Sequence, residues 1–419
     1  MTRPSSGFRG ARSLGAFVSI LGGRTGGLIA TLCVSGLTTG MLQLSLPLHL
    51  EQLRAGPAAI GAVLSMFGVG TILFEFFWGW LADRVGVVPP ILVSQLAYSL
   101  VVAAFLLTSS VPAFAVLYLL AAGMMVSGAP IARAFIAVSM PAERRGMALG
   151  LVTAQFTLGS GAGSLIAGFL MAHAGFTAVM QVATIFPLAG AAIALLTFRG
   201  DYRVRIAQLA AGGAGPGSAV GGATPATGPP RSFVRPLVAI SVVIMIMLVG
   251  FSGERTTLPI LVTGGLGMSP AYAGAVVSAL GILTAVMMVP GGRVSDVVGR
   301  RLMIVVGLVV SVLGLLTYGF ASTLQLVFGA VVLRAVGVSL TWPAATALLA
   351  ESSPATRQGL VMGVFGEFEN VGMTFGPLAA GYAWSAVGIR ASFVVLAVIG
   401  AIGAVAAVVL INERRWARA

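Results

Sequence analysis

Twelve apolar stretches separated by short polar breaks dominate the chain. They run over 27–50, 57–82, 88–109, 112–139, 146–171 and 176–198, and after a gap over 236–262, 269–291, 301–321, 324–350, 358–384 and 390–412. A hydrocarbon core about 30 Å thick needs roughly 20 apolar residues in a helix. Each stretch meets that length. Helices are the expected form, because open strands would leave backbone groups unpaired in lipid. The pattern predicts an all-α membrane protein with twelve transmembrane helices, here called spans one to twelve.

Composition agrees. Of 419 residues, 58% are apolar and only 8% are charged, against about 25% charged in a soluble domain. The formal net charge is +13, and all 24 basic residues are arginine. A nucleic-acid partner would need a clustered basic face on a soluble domain, whereas these arginines sit between apolar segments, so no nucleic acid is expected. The single cysteine, Cys33, excludes an internal disulfide and a Cys-rich metal site, and reads as a packing residue. The basic N-terminus resembles the start of a signal peptide. The apolar segment that follows is long, lacks a clear cleavage site and leads into many further spans, so it reads as a retained helix.

Charge placement orients the spans. With both termini in the cytoplasm, 19 arginines fall on the cytoplasmic side, only Arg54 and Arg390 fall outside, and Arg133, Arg255 and Arg334 lie within spans. A cell (cytoplasmic) membrane location is expected. Residues 199–235 change character to AAGGAGPGSAVGGATPATGPP, a Gly/Ala/Pro-rich composition typical of flexible linkers. The expected organisation is an N-terminal six-helix bundle over 1–198, a cytoplasmic linker over 199–235 and a C-terminal six-helix bundle over 236–419.

The two halves repeat. At a fixed offset of 213 residues, Pro57, Gly61 and Ser65 match Pro270, Gly274 and Ser278, and Gly79, Asp83 and Gly86 match Gly292, Asp296 and Gly299. The same register pairs Pro130 with Pro343, Arg144 with Arg357, and Gly150, Gly159, Gly163, Gly168 and Gly175 with Gly363, Gly372, Gly376, Gly381 and Gly388. An even number of spans per half makes the repeat parallel, with its pseudo-twofold axis along the membrane normal. Transporters built this way hold substrate near the midplane between the halves and rock them to alternate access.

After span two the chain reads Gly79-Trp-Leu-Ala-Asp83-Arg84-Val-Gly86, and after span eight Gly292-Arg293-Val-Ser-Asp296-Val-Val-Gly299-Arg300-Arg301. Both resemble the G-x-L-A-D-R-x-G-R-K signature of the major facilitator superfamily, at both places where that family carries it. The resemblance implies a major facilitator fold, and a gate in which each Asp faces the start of a helix in the opposite half: Asp83 near Gly359, Asp296 near Gly146. A helix N-terminus favours a carboxylate there. Val87, Val88 and Val297 depart from the signature, and the second copy supplies the basic residues. Span five carries Gly150, Gly159, Gly163 and Gly168 at spacings resembling the seam motif of drug:proton antiporters, with Ser164 in place of its proline. Span eleven repeats it as Gly363, Gly372, Gly376-Pro377 and Gly381. The spacing supports either a bendable seam between halves or ordinary small-residue packing.

Ionisable residues at membrane depth point by default to a functional pathway. Glu75 precedes Gly79 by about one turn. Glu254 and Arg255 lie in the outer half of span seven, and Glu367, Glu369 and Asn370 near the middle of span eleven. Arg133 and Arg334 lie in spans four and ten. At about 100° per residue, Glu367 and Glu369 point roughly 200° apart. Glu367 shares a small polar stripe suited to a central cavity, and Glu369 falls nearer Gly372 and Gly376. A carboxyl in apolar surroundings can exchange protons near neutrality. The expectation is that Glu367 or Glu254 carries protons while Arg255 or Arg334 tunes it or meets an anionic substrate group. The alternative is a static Glu254–Arg255 or Glu75–Arg133 pair. Gln43, Gln155, Trp342, Phe365 and Phe368 are further candidate cavity contacts.

No nucleophile with an acid–base partner, phosphate loop or metal-ligand spacing occurs in the sequence. His49 and His173 stand on separate segments. Neither an enzyme nor a cofactor or metal site is expected. The reading is a monomeric secondary transporter using protons, exporting a hydrophobic or amphipathic small molecule. Uptake of an organic anion remains open, as do a lipid translocator with a lateral opening between spans two and eleven or five and eight, and a non-transporting sensor.

Overall fold

The computed structural model describes residues 23–139, 142–199, 233–354 and 357–411. The linker, both extreme termini and Arg199's successors to 232, including Arg203, Arg205 and Arg231, lie outside the described residues, apart from the linker's edges.

The described chain is helical throughout. The first half contains Arg24–Gln52, Pro57–Val85, Val88–Ala104 with a short 3-10 turn, Val111–Met125 followed by Gly128–Ser139, Ala142–His173 and Gly175–Thr197. The second half contains Val234–Ile260 continued by a π-turn over Leu261–Gly265, Pro270–Val298, Arg300–Phe320, Leu324–Glu351, Gln358–Val387 and Ile389–Leu410. Eleven of the segments are long and apolar enough to cross a membrane. The thirty-residue helix Gln358–Val387, which carries Glu367, Glu369 and Asn370, completes the twelve-span, two-bundle arrangement.

Local sequence explains the ends. Pro57, Pro112 and Pro270 sit in first turns, where no N–H is needed. Gly86 and Gly299, the last glycines of the two signatures, close spans two and eight at φ 94° and 111°. That left-handed backbone is costly for any residue with a Cβ, which gives these motif positions a structural reason. Gly79 faces Pro130 and Gly292 faces Pro343, with a Cβ added at either glycine lying 3.9 and 3.7 Å away. The repeat thus preserves the contact of span two on four and of span eight on ten.

Span four differs from expectation. It is not one helix over 112–139 but two, parted at Val126–Ser127. Pro130 removes a backbone donor, and Gly128, two residues before it, lies against the Leu32 side chain. Its counterpart Pro343 leaves span ten continuous.

Three apolar cores describe the packing. One, running from Met41 to Met180 and from Leu258 to Ala397, joins both halves. The other two are confined to one half each: Leu28 to Phe198, and Leu237 to Ile411. The shared core lies toward the Gly56 and Gly267 loops, the far end. The separate cores lie toward the linker. The halves therefore meet at the far end and part toward the linker end.

Two glycine pairs form the far-end closure. A Cβ on Gly61 of span two would sit 2.9 Å from the Gly381 Cα of span eleven, and one on Gly168 of span five 2.7 Å from the Gly274 Cα of span eight. Adding the 213-residue offset turns the first pair into the second, so a single contact is built twice about the pseudo-twofold axis. The other motif glycines act elsewhere. Gly159 and Gly163 abut Cys33, Gly36 and Leu37 of span one, and Gly372 and Gly376 abut Met245, Val249 and Gly253 of span seven. They pack helices within each half and do not form the seam between halves that their spacing suggested. The reason is geometric: they lie on the face of spans five and eleven turned toward their own bundle.

Candidate substrate and coupling site

A pocket opens between the halves beneath the far-end closure. Its polar lining is Gln43, Tyr118, Ser252, Arg255 and Thr256, and its apolar lining Leu64, Phe67, Met373 and Pro377. Spans one, two and four supply one wall, and spans seven and eleven the other. Arg255 crosses the divide: its Nη1 donates a hydrogen bond to Gln43 Oε1. Pro47 and Pro259 set a local offset of 212 residues between spans one and seven. Gln43 and Arg255 are counterparts in that register, so the bond lies close to the pseudo-twofold axis. The Arg255 guanidinium also stacks over Phe251 at 4.5 Å.

Glu254 does not pair with its neighbour. Successive helical residues point about 100° apart, so Glu254 turns into the second bundle while Arg255 turns to the pocket. There the Arg334 Nε donates to Glu254 Oε2 at 2.6 Å, with the two side chains 1% and 0% exposed. Arg334 lies against Gly314, whose missing side chain makes room for it. Arg334 is thereby taken up inside the second half and does not reach the pocket.

A second charged group spans the halves nearer the linker end. Glu75 of span two accepts a hydrogen bond from Asn370 Nδ2 of span eleven at 3.0 Å, and its other oxygen lies 3.6 Å from Arg133 Nη1. Of the two static pairs expected as the alternative, Glu75–Arg133 is the one present. Glu367 interacts electrostatically with Glu75, and Glu369 with Arg133 and Glu75. Glu369 Oε1 is buried without a partner among the described residues. Three carboxylates from two halves thus gather around one arginine and one amide, and the two span-eleven glutamates belong to this same group despite their angular separation.

Other sequence candidates divide. Gln43 lines the pocket. Gln155 bonds its own helix through Val152 O at 2.9 Å. Phe365 is buried in the second half's linker-end core, with Trp342 against it, and Phe368 is half-buried. Sequence reading missed Tyr118, Ser252 and Thr256 as lining residues, because a lone hydroxyl in an apolar span carries no signal of which way it faces.

At the gate signatures, Asp296 pairs with Arg300, which also reaches Ser295 Oγ at 2.9 Å and Glu351 at 2.9 Å. All four residues belong to the second half. Among the described residues, the Asp thus has partners in its own bundle. Arg84 stacks over Trp80 at 4.1 Å. The side chains around Gly146 and Gly359, where the two aspartates were expected to dock, lie outside the described residues, as do those of Arg144 and Arg145.

Two six-helix bundles closing over a mixed apolar and charged cavity define a membrane transporter, not an enzyme. The chain belongs to the Major Facilitator Superfamily, whose model matches residues 28–261 and 240–418. It is 27% identical over 375 residues to the multidrug resistance protein MdtG of Klebsiella pneumoniae, covering 87% of each chain. It is 24% identical over 382 residues to MdtG of Salmonella arizonae, covering 87% of this chain and 89% of that protein. Its fold is similar to that of a bacterial homologue of the human lysosomal transporter Spinster in an inward-facing and occupied conformation, with TM-score 0.78, 16% identity, and 93% and 96% of the two chains covered.

Proposed function

We propose that the protein exports hydrophobic or amphipathic small molecules from the cytoplasm in exchange for protons, acting as a monomer in the cell membrane. The observation that carries this reading is the carboxylate group formed by Glu75, Glu367 and Glu369 across the two halves. Its cross-half hydrogen bond, Asn370 to Glu75, links protonation to the relative position of the bundles. A carboxyl at membrane depth is costly unless it has a task. Proton uptake by Glu367 removes a like charge beside Glu75, and so shifts the balance of the Glu75–Arg133 and Glu75–Asn370 contacts that tie the halves together.

Three further points support the reading. Of the polar lining residues, Ser252 and Thr256 spend their donors on backbone carbonyls, which together with Leu64, Phe67, Met373 and Pro377 suits an apolar body better than a sugar. The MdtG relatives are described as multidrug resistance proteins. With the arginine-rich linker end in the cytoplasm, the gap between the separate cores faces inward and the glycine pairs close the outside. On this reading 1–198 and 236–419 are the rocking bundles and 199–235 joins them, with both termini cytoplasmic. Within the span-eleven pair, Glu367 carries the proton.

The test is transport in proteoliposomes with an imposed pH gradient, screening a panel of amphipathic compounds. Wild type is expected to move substrate against the proton flux. Glu367→Gln is expected to abolish gradient dependence while leaving exchange of substrate for substrate. Full coupling in Glu367→Gln, Glu369→Gln and Glu254→Gln alike would sink the proposal, and flux in the same direction as protons would replace export by uptake.

A further inference from the structure

Charge accounting around the pocket leaves one cation without an ion-pair partner among the described residues. Glu254 is the carboxylate next to Arg255 in sequence, but it is neutralised by Arg334 on the other side of the helix. No carboxylate stands within ion-pair distance of Arg255 among the described residues. Its Nη1 is held by a neutral amide, Gln43, and its face by Phe251. Its Nε is buried and has no partner. An unpaired guanidinium at membrane depth is expensive and marks a substrate or ion pathway, and a planar guanidinium with free N–H groups matches an oxyanion in a forked arrangement.

We infer that the transported molecule is an amphipathic organic anion, whose carboxylate, sulfonate or phosphate group docks on Arg255 in a cavity with room for little more than that group, and whose apolar body extends along Phe67, Met373 and Pro377 as the halves part. The hydroxyls around Arg255 fit this assignment. Ser252 and Thr256 both donate to backbone carbonyls, Leu248 O at 2.7 Å and Ser252 O at 3.2 Å. They are thus committed as donors, while Tyr118 offers its O–H from the opposite half. The pocket therefore presents two donors, Arg255 and Tyr118, one from each bundle. An anion bridging them would compete with Gln43 for Arg255, at the point where the halves touch near the axis. Substrate binding would then act on the contact that helps hold the far end closed.

This inference rests on the transport reading but not on its proton coupling, and equilibrium binding separates the two. The purified full-length protein in detergent is titrated calorimetrically with 1-naphthaleneacetate and with its neutral isostere 1-naphthaleneacetamide. Wild type is expected to bind the acid about tenfold more tightly, the scale of one charge-assisted hydrogen bond. Arg255→Gln is expected to lose that preference, and Arg255→Lys, which keeps the charge, to retain part of it and to show that the fold tolerates change there. Equal affinity of wild type for the two probes, binding of neither, or an undiminished preference in Arg255→Gln overturns the inference. A preference that holds while pH-driven flux is absent overturns the proton-coupled reading alone.

Discussion

The two halves share a scaffold and differ in how they hold charge. In the second half, a Glu254–Arg334 pair is enclosed between spans seven and ten. At the corresponding places in the first half stand Met41 or Leu42 and Ala121, and the same region is filled by apolar packing. Span ten runs unbroken past Pro343, whereas span four breaks before Pro130. By contrast, the contacts that close the far end are the same in both halves, Gly61 on Gly381 and Gly168 on Gly274. The lesson is a division of labour. Symmetric positions are those where backbone approaches backbone, and a duplicated motion needs both copies. Asymmetric positions carry ionisable groups, and one substrate in one cavity needs only one copy of each.

The largest expected effect comes from breaking the asymmetry. Removing one partner of the buried pair, as in Arg334→Met or Glu254→Leu, strands a charge and should cost about 3–5 kcal/mol, whereas removing both should be close to neutral. Thermal unfolding in detergent measures this. If the double variant is as unstable as the singles, the pair itself holds the second half together and the loss is not the cost of a stranded charge; if the singles are as stable as wild type, the second half does not depend on the pair.

Breaking the symmetry should cost less. A side chain at Gly168 meets the Pro270 carbonyl and Gly274 Cα, both at 2.7 Å, and backbone cannot step aside cheaply. Overpacking of this kind costs about 1–3 kcal/mol, so Gly168→Val should shift the closed far end toward opening by about tenfold or more and slow transport in vesicles. Gly381→Val makes the mirror-related clash and should match it. A loss in one but not the other would show that only one of the two seams opens.

The smallest effect is expected at the gate signature. Arg300 is held by both Asp296 and Glu351, but the two carboxylates are exposed, and exposed pairs contribute below about 1 kcal/mol. Asp296→Asn should therefore barely change the unfolding temperature. It should alter transport rate more than stability if the Asp docks on the opposite half during transport, as the signature implies. A large drop in stability would contradict this.

How much was legible beforehand follows from what sequence encodes. Span count, the parallel repeat and the family signatures were all readable. Lipid forces each span to satisfy its own backbone, and a duplication leaves a fixed offset. The acidic group at Glu75, Glu367 and Glu369 was found because charge in an apolar span is conspicuous. Its membership was not legible, since helical angle alone sets Glu367 and Glu369 on different faces of span eleven. Side chains as long as glutamate can reach one neighbour from two faces when another bundle lies across from them. The partner of Glu254 was open to more than one reading for a similar reason. Adjacency in sequence favoured Arg255, but adjacency on a helix separates directions.

The sequence by itself determined that this chain crosses the membrane twelve times in two related bundles, and which few residues carry charge there. Hydropathy and periodicity are local properties, and they suffice for that. Only the tertiary structure decided that Glu254 belongs with Arg334, that Arg255 bridges to Gln43, and that of the motif glycines Gly168 and Gly381 reach the inter-half seam, against Gly274 and Gly61, while Gly159, Gly163, Gly372 and Gly376 pack inside their own halves. Those outcomes depend on which helix faces lie opposite each other, and that is settled by the packing of whole bundles, which no single stretch of sequence contains.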